Sequence, residues 1–257
     1  MEETILLTGS TGFLGRGILQ KLYGYDVRCL QRSRKGLNGL GLSKVVDIGA
    51  RTDYGNFVCD VDCIIHCAAR VHILDDNSEN PLTLYRNINT DGALNLARQA
   101  AESGVKRFIF ISSIKVNGEE TNKGERFLFD DTPLPKDSFA ISKMEAENGL
   151  REISKNTGME VVIIRSPLVY GPGVKANFAS MINLARKNLP LPLGAIHNKR
   201  SLVALDNLID LIIICIEHPK AANQLFLVSD DHDVSTTKLL KALTQAAGKK
   251  PLLIPFP

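Results

Sequence analysis

The stretch TGSTGFLG, Thr8–Gly15, lies between the first β-branched run of the chain and an amphipathic segment over 15–23. In such a turn the first glycine permits a tight bend, the second lets backbone amides approach a pyrophosphate, and the third lets helix and strand pack closely. Its place at the first strand-to-helix turn predicts a dinucleotide-binding loop. The expected cofactor-binding residues of this loop are Gly9, Thr11, Gly12, Phe13, Leu14 and Gly15.

Short apolar runs alternate with longer amphipathic segments over the first two thirds of the chain. This alternation predicts an α/β fold, in which helices cover both faces of a doubly wound parallel sheet of the Rossmann type. The predicted helices span 15–23, 84–103 and 139–157. The six predicted strands span 4–8, 26–30, 44–47, 61–67, 107–112 and 161–165.

The character of the sequence changes after Arg165, where glycines and prolines interrupt a segment with few strand signals. We therefore predict a dinucleotide-binding domain over 1–165 and, over 166–257, mainly a smaller substrate-binding lobe. Within that lobe, 201–217 regains a strand-then-helix pattern and is expected to pack back on the sheet, and 224–229 followed by 236–247 repeats the strand-then-helix pattern. The terminal LLIPFP follows a helical pattern and favours a lobe that is truncated at Pro257.

Composition argues against several classes of protein. The 31 basic residues nearly balance the 28 acidic ones, and no long basic run suits a nucleic acid. The five cysteines lack the C-x-x-C pairs of zinc sites, so we expect reduced thiols and no metal. The N-terminus does not resemble a signal peptide, and no apolar run approaches the roughly 20 residues that span a bilayer. We therefore expect a cytoplasmic protein without membrane contact.

Four later motifs extend the pattern that begins at the glycine loop: SSIKVNG, FAISKMEAE, RSPLVYGPG and RSLVALDNL. With the G-x-x-G-x-x-G spacing, they resemble the extended short-chain dehydrogenase/reductase family, of the NAD-dependent epimerase/dehydratase type, from Met1 to about Pro219. The resemblance implies a catalytic Ser113 and Lys143, with Ser113 also binding substrate. It implies further cofactor contacts at Asp47, Ile48, Ala68, Ala69, Lys143, Pro167 and Val169.

The resemblance also implies that Arg200 pairs with a substrate diphosphate and that Asn177 lies near the same phosphates. A solvated surface cation is the alternative for Arg200, and a helix cap is the alternative for Asn177. Members of the family often pair through two long helices, so a homodimer is a further expectation from resemblance.

The end of the second predicted strand, LQRSR, bears on the choice of cofactor. A carboxylate there would accept a hydrogen bond from the ribose 2′-hydroxyl of NAD, but Gln31 and Arg32 occupy the place. Because Arg32 suits a 2′-phosphate, we expect NADP(H), with NAD(H) as the alternative. Arg32 and Arg34 as solvated surface charges are the competing interpretation.

SFAISK, Ser138–Lys143, resembles the family's Tyr-x-x-x-Lys motif with Phe139 at the tyrosine position. Phenylalanine has no hydroxyl to exchange a proton. Three explanations stay open: an engineered substitution, a natural loss that leaves a cofactor-binding remnant, or a variant in which water or Lys143 supplies the proton. Loss of a general acid costs about 10²–10⁴ in rate, so slow turnover is compatible with Phe139.

The expected reaction follows from the resemblance to bacterial nucleotide-sugar 4-ketoreductases and to proteins like UDP-glucose 4-epimerase. We expect NADP(H)-dependent reduction of a UDP-N-acetyl-6-deoxyhexos-4-ulose in surface-polysaccharide synthesis, with activity impaired by Phe139. Ile114 and Lys115 replace the Asp-Glu pair of related dehydratases. The alternatives are a nucleotide-sugar 4-epimerase with bound NAD, a non-catalytic NADP(H)-binding protein, and a steroid- or flavonoid-type reductase. The basic residues of the second lobe favour an anionic substrate over the last of these.

Overall fold

The structure is a computed structural model that describes residues 3–32, 42–71 and 80–255. Arg34 and the end of the terminal LLIPFP therefore lie outside the described residues. The chain divides into two compact units. The first comprises 1–166 and 209–228, and the second comprises 167–208 and 229–257.

A parallel sheet forms the centre of the first unit, and within the described residues it has seven strands in the order β3-β2-β1-β4-β5-β6-β9. Each neighbouring pair is parallel. The strands are β1 (Thr4–Thr8), β2 (Asp26–Gln31), β3 (Leu42–Val45), β4 (Cys63–His66), β5 (Arg107–Ser113), β6 (Glu160–Ser166) and β9 (Leu225–Leu227). The predicted fold class is confirmed, with one strand more than expected.

The additional strand comes from the segment that returns to the sheet. β9 pairs with β6 through Ile163 to Leu225 and the next two residue pairs. The returning segment is 209–228, whereas the prediction ended it at residue 217 and began it at residue 201. The helix that precedes β9 is held in place by Arg107, whose Nη1 donates to the carbonyl oxygens of Cys215 and Ile216 at 2.8 and 2.7 Å.

Helices flank the sheet where the amphipathic spacing predicts them. They are α1 (Phe13–Leu19), α2 (Pro81–Tyr85), α3 (Ala93–Glu102), α4 (Ser138–Thr157) and α6 (Leu205–Glu217). The predicted helix over 84–103 is interrupted by a π-helical segment, Arg86–Gly92. α4 begins where the Asp137 side chain accepts from Ala140 N, and ends at Gly158, whose φ of 77° suits glycine.

The core of the first unit is apolar on both faces of the sheet, as a buried parallel sheet requires. Its fully buried side chains include Leu6, Ile64, Leu96, Phe108 and Phe110. No helix among the described residues has the length and apolarity needed to cross a membrane.

The second unit has a two-stranded parallel sheet, β7 (Leu168–Tyr170) with β8 (Leu202–Ala204), and two helices, α5 (Ala176–Lys187) and α7 (Thr236–Ala246). Its core is small, with Phe178, Leu202 and Leu239 buried together. Asp230 ties the unit together, because it accepts from Ala204 N and from the Tyr170 hydroxyl.

Candidate active site

The glycine loop of residues 9–15 is shaped by backbone that comes too close for side chains. Gly9 has a φ of +71°, and a Cβ there would lie 2.8 Å from Ala68 N. A Cβ on Gly15 would overlap the Gly9 carbonyl oxygen. No side chain caps α1, so its first amides are left for a ligand. This loop therefore fits the pyrophosphate of a dinucleotide.

The Ala68 backbone lies beside this loop at Gly9, and both Ala68 and Ala69 follow the end of β4. β4 ends at His66, because Ala68 N donates to the Thr8 hydroxyl at 3.1 Å instead of continuing the ladder. The predicted strand, 61–67, was two residues too long at its start and one residue too long at its end. The small side chains leave this backbone close to Gly9.

The ends of β2 and β3 are adjacent, since Gln31 pairs with Val45. Arg32 is exposed directly after β2. Asp47 and Ile48 were predicted to end the third strand, but β3 ends at Val45 and both lie in the following turn. That turn is held by the Thr52 hydroxyl, which donates to the Asp47 carbonyl oxygen at 2.6 Å. The Asp47 side chain is exposed, and Ile48 is half-buried.

Gln31 is a polar residue of this edge that sequence reasoning treated only as a missing carboxylate. Its side chain is buried, with 5% exposed, and its Oε1 has no hydrogen-bond partner among the described residues. A buried carbonyl oxygen without a donor is costly unless a ligand supplies one. It is an acceptor suited to a ribose hydroxyl. A polar residue that ends a buried strand is the signal that was available in the sequence.

The π-helical segment places Asn89 at the centre of the first unit. Asn89 is fully buried; its Oδ1 accepts from Arg70 N at 2.7 Å, and its Nδ2 donates to the Arg70 carbonyl oxygen and to Ser142 Oγ at 3.0 Å each. It thereby joins the loop after β4 to α4. Gly92, which ends the segment, allows close contact with Ile48, since a Cβ would lie 2.8 Å from that side chain. Such π-segments occur frequently at functional sites.

Ser113 is the last residue of β5, at the edge where the strands of a doubly wound sheet present ligand-binding groups. It is half-buried, and its Oγ accepts from Lys115 N at 3.3 Å. This bond starts a short 3₁₀ turn and leaves the hydroxyl proton of Ser113 available. A hydroxyl at this edge suits an oxygen that gains negative charge during a reaction.

Lys143 lies on α4 and points at the sheet. It is buried, with 2% exposed, and its Nζ donates to the Ile111 carbonyl oxygen at 2.8 Å. The same atom lies 4.3 Å from the centre of the Phe110 ring. Burial lowers the pKa of Lys143 to about 8, although Cys67 and Glu147 act to raise it. The structure therefore anchors Lys143 to the strand that carries Ser113.

Phe139 lies one turn before Lys143 in the first turn of α4, and both residues are on one helix face. The Phe139 ring is half-buried and meets the Tyr85 ring edge-on, with centroids 6.4 Å apart. The Tyr85 hydroxyl lies 3.4 Å from the Val71 carbonyl oxygen. The side chain at position 139 therefore brings no hydroxyl to this site.

A buried ion pair supports the site, and sequence reasoning missed it. Glu147 on α4 accepts from Arg165 Nη2 at 2.6 Å, with 2% and 4% of the two side chains exposed. Glu147 also accepts from the Ser112 hydroxyl, and Arg165 Nη1 donates to Asn117 Oδ1 at 2.8 Å. These bonds join α4, β5 and β6 directly beside Ser113. The only sequence signal was a charged residue within an otherwise apolar strand.

His66 is a second buried polar residue that the sequence analysis did not single out. It is fully buried at the end of β4, where its Nδ1 lies 3.0 Å from the Thr8 hydroxyl and its ring stacks on Phe110. Burial lowers its pKa to about 3, with Lys143 contributing. His66 is therefore neutral at physiological pH.

The remaining predicted site residues belong to the second unit. Pro167 precedes β7, in which Val169 pairs with Val203. Arg200 is exposed, and its backbone pairs with Val234. Asn177 is exposed in the first turn of α5, but Lys175 occupies the cap position, so the helix-cap alternative for Asn177 is wrong. Roles for these residues toward cofactor or substrate stay predictions.

Among residues 3–32, 42–71 and 80–255, no group of three or more His, Cys, Asp or Glu side chains could hold a metal ion. All five cysteines are free, and Cys29, Cys63 and Cys215 are buried.

Gly15→Ala tests the glycine loop directly. The added methyl would overlap the Gly9 carbonyl oxygen, so the loop must move, and we expect dinucleotide affinity to fall by at least about tenfold. Gly104→Ala is the matched control, because that glycine has a φ of +83° but open space around it. The control should lose stability without loss of affinity, as measured by fluorescence titration with NADH. Unchanged affinity in Gly15→Ala would exclude this loop as the phosphate site.

Comparisons with known proteins agree with this geometry. Residues 5–228 match the sequence profile of the NAD dependent epimerase/dehydratase family. A UDP-glucose 4-epimerase of Vibrio cholerae is 52% identical over 261 residues, which cover 100% of this chain and 80% of that protein. A decarboxylating sterol-4-alpha-carboxylate 3-dehydrogenase of Dictyostelium discoideum is 31% identical over 280 residues. That match covers 99% of this chain and 81% of that protein.

A solved structure shows the same fold at lower identity. UDP-glucuronic acid 4-epimerase from Bacillus cereus, in complex with UDP-glucuronic acid and NAD, superposes with a TM-score of 0.84 at 22% identity. The match covers 98% of this chain and 86% of that one. The fold and the site thus define a dinucleotide-dependent α/β enzyme. The chain belongs to the NAD-dependent epimerase/dehydratase family.

Proposed function

We propose that this chain is a nucleotide-sugar 4-epimerase that uses bound NAD and is slowed by Phe139. The observation that carries the proposal is the pair Ser113 and Lys143, which the fold brings to the carboxyl ends of the strands, where the glycine loop also lies. The 52% identity to a protein named UDP-glucose 4-epimerase favours epimerisation over the net reduction that we expected from the sequence.

In this proposal, the glycine loop holds the dinucleotide phosphates and Lys143 holds a ribose hydroxyl. When bound, an oxidised nicotinamide accepts hydride from a sugar carbon and returns it, so no net redox change results. Ser113 donates its hydroxyl proton in a hydrogen bond to the sugar oxygen as that oxygen gains negative charge. Arg200 and Asn177 in the second unit bind the diphosphate of the substrate.

Incubation with UDP-linked sugars tests the proposal. UDP-glucose, UDP-N-acetylglucosamine and UDP-glucuronic acid are each incubated with the chain, and the appearance of the C4 epimer is followed by ¹H NMR. Epimer formation without added reductant supports the proposal. Consumption of NADPH with a UDP-4-keto-6-deoxy sugar, and no epimer from any of the three sugars, would favour the reductase instead.

The choice between NAD and NADP depends on Gln31 and Arg32, at the end of β2. We propose NAD, because the buried Gln31 Oε1 offers an acceptor for a ribose hydroxyl, and because the Bacillus cereus relative is described with NAD. The reductase remains the second candidate, because the exposed Arg32 suits the 2′-phosphate of NADP.

Two substitutions at the end of β2 separate these cofactors. Gln31→Leu removes one neutral hydrogen bond and should weaken NAD binding by about two- to tenfold, with NADP affinity nearly unchanged. Arg32→Ala should leave NAD affinity unchanged. Calorimetric titration of both variants with both cofactors measures the effects. Tighter binding of NADP than NAD by the native chain, lost in Arg32→Ala, would overturn the choice of NAD.

A further inference from the structure

The proposed reaction transfers a proton, but Phe139 stands where a phenol would carry out that transfer. Lys143 is the nearest titratable group along the same helix face. We propose that Lys143 Nζ is itself the proton acceptor and donor of this enzyme, working through one water molecule from solvent. This inference rests on the proposed epimerase function.

The first observation is that the ammonium group of Lys143 has no counter-ion. Its Nζ donates to a neutral acceptor, the Ile111 carbonyl oxygen, and packs over the Phe110 ring. Glu147 is one turn further along α4, but its oxygens accept from Arg165 and Ser112. Among the described residues, Lys143 forms no ion pair. A buried ammonium without a counter-ion releases its proton more readily than a paired one.

The second observation is that two titratable neighbours of Lys143, at the end of β4 and directly after it, are neutral. Burial raises the pKa of Cys67 to about 12 and lowers the pKa of His66 to about 3. Neither contributes a charge at pH 8, and Glu147 is neutralised by Arg165. The burial that lowers the pKa of Lys143 to about 8 outweighs the opposing effects of Cys67 and Glu147. Near neutral pH the amine exists in both forms, as a general acid-base group requires.

The third observation is placement. Lys143 Nζ is anchored at the Ile111 carbonyl oxygen, and Ser113 ends the same strand two residues later, so both groups lie near the carboxyl end of β5. In the proposed function Ser113 orients the sugar oxygen, and the water molecule connects that oxygen to Lys143 Nζ. Phe139, one turn before Lys143 on the same helix face, has no group that accepts a proton.

The step balances with one water molecule as proton carrier and a bound oxidised nicotinamide as hydride acceptor. The sugar O4–H bond breaks, the proton passes to the water, and a proton of that water passes to the lone pair of Nζ. The C4 hydrogen would leave with its electron pair as hydride, for which a bound oxidised nicotinamide would be the acceptor, and a C4 carbonyl would form. In the reverse step the carbonyl oxygen regains a proton from Nζ through the same water, with hydride added to the opposite face of C4.

The test combines a direct titration with a pair of activity profiles. The chain is labelled with ¹³Cε-lysine, and the Lys143 signal is identified by its loss in Lys143→Arg. We expect this signal to titrate near pH 8, whereas solvated lysines titrate about two pH units higher. Epimerisation by the native chain should then rise about tenfold per pH unit below that value, because the neutral amine is the active form, and level off above it.

Lys143→Arg in two backgrounds separates proton transfer from cofactor binding. A guanidinium keeps the charge but does not release its proton. In the native background we expect a loss of about 100-fold or more. In the Phe139→Tyr background, where a phenol supplies the proton, the loss should be under about tenfold, with NAD affinity equal in both variants.

The alternative outcomes distinguish failure of the Lys143 role from failure of the proposed function. An equal loss in both backgrounds, or a Lys143 signal that titrates near pH 10, would overturn the role of Lys143 while leaving the epimerase intact. Epimerisation by Phe139→Tyr with none by the native chain would do the same. Absence of epimerisation in both would instead refute the proposed function.

Discussion

Phe139→Tyr is expected to raise the epimerisation rate of this chain by about 10²–10⁴-fold. The substitution adds one hydroxyl at the tip of a half-buried ring in the first turn of α4. Lys143 lies one turn further along the same face, where its positive charge lowers the pKa of a phenol and makes it an efficient acid-base group. The rate is measured as UDP-galactose formed from UDP-glucose.

Phe139→Leu is the matched control, because it changes the same ring without adding a hydroxyl. NAD affinity of both variants should equal that of the native chain, which separates chemistry from binding. If Phe139→Tyr binds NAD but turns over no faster than Phe139→Leu, position 139 does not supply the proton. If the native chain and both variants bind NAD but form no epimer, the chain acts as a dinucleotide-binding protein.

Glu147→Ala is expected to lower the free energy of unfolding by about 3–5 kcal/mol. The substitution leaves the Arg165 guanidinium buried without its carboxylate, since 4% of that side chain is exposed. It also removes the acceptor of the Ser112 hydroxyl. Urea unfolding should show a lower midpoint with an unchanged slope.

Glu145→Ala on the same helix is the control. Glu145 also pairs with an arginine, Arg86 at 2.6 Å, but 28% and 45% of the two side chains are exposed. An exposed pair contributes about 0–1 kcal/mol, so this variant should unfold almost as the native chain does. Equal losses in the two variants would show that burial does not determine the contribution of the Glu147 pair.

The sequence predicted the fold well where local signals are strong. The glycine spacing placed the loop at residues 9–15, and β-branched runs located six strands to within a few residues. The ends of β3 and β4 were less accurate, because side-chain bonds from Thr52 and Thr8 replace ladder bonds there. Such bonds depend on residues distant in sequence or on turn geometry.

The seventh strand and the π-helical segment had weaker signals. The strand pattern over 224–229 was visible, but its pairing with β6 is set by tertiary contacts rather than by local sequence. The helical pattern of the sequence shows no break at the π-helical segment. The segment forms where Asn89 bonds to the loop after β4.

Some residues of the candidate site were predicted from the sequence, and others became visible only in the structure. Ser113, Phe139 and Lys143 were identified by motif, and the structure brings Lys143 to the strand that ends in Ser113. The buried pair of Glu147 and Arg165 was missed, because charged residues in a helix and a strand predict exposure unless their partner is known. The unpartnered Gln31 Oε1 likewise becomes visible only when burial is known.

The most direct test of the central claim follows deuterium at C4 of the sugar. UDP-[4-²H]glucose is incubated with Phe139→Tyr carrying its bound cofactor, and the product is analysed by mass spectrometry and NMR. We predict UDP-galactose that retains deuterium at C4, because a hydride that leaves and returns within one enzyme does not exchange with water. Product without deuterium at C4, or no epimer together with stoichiometric NADPH oxidation on a 4-keto sugar, would contradict the account.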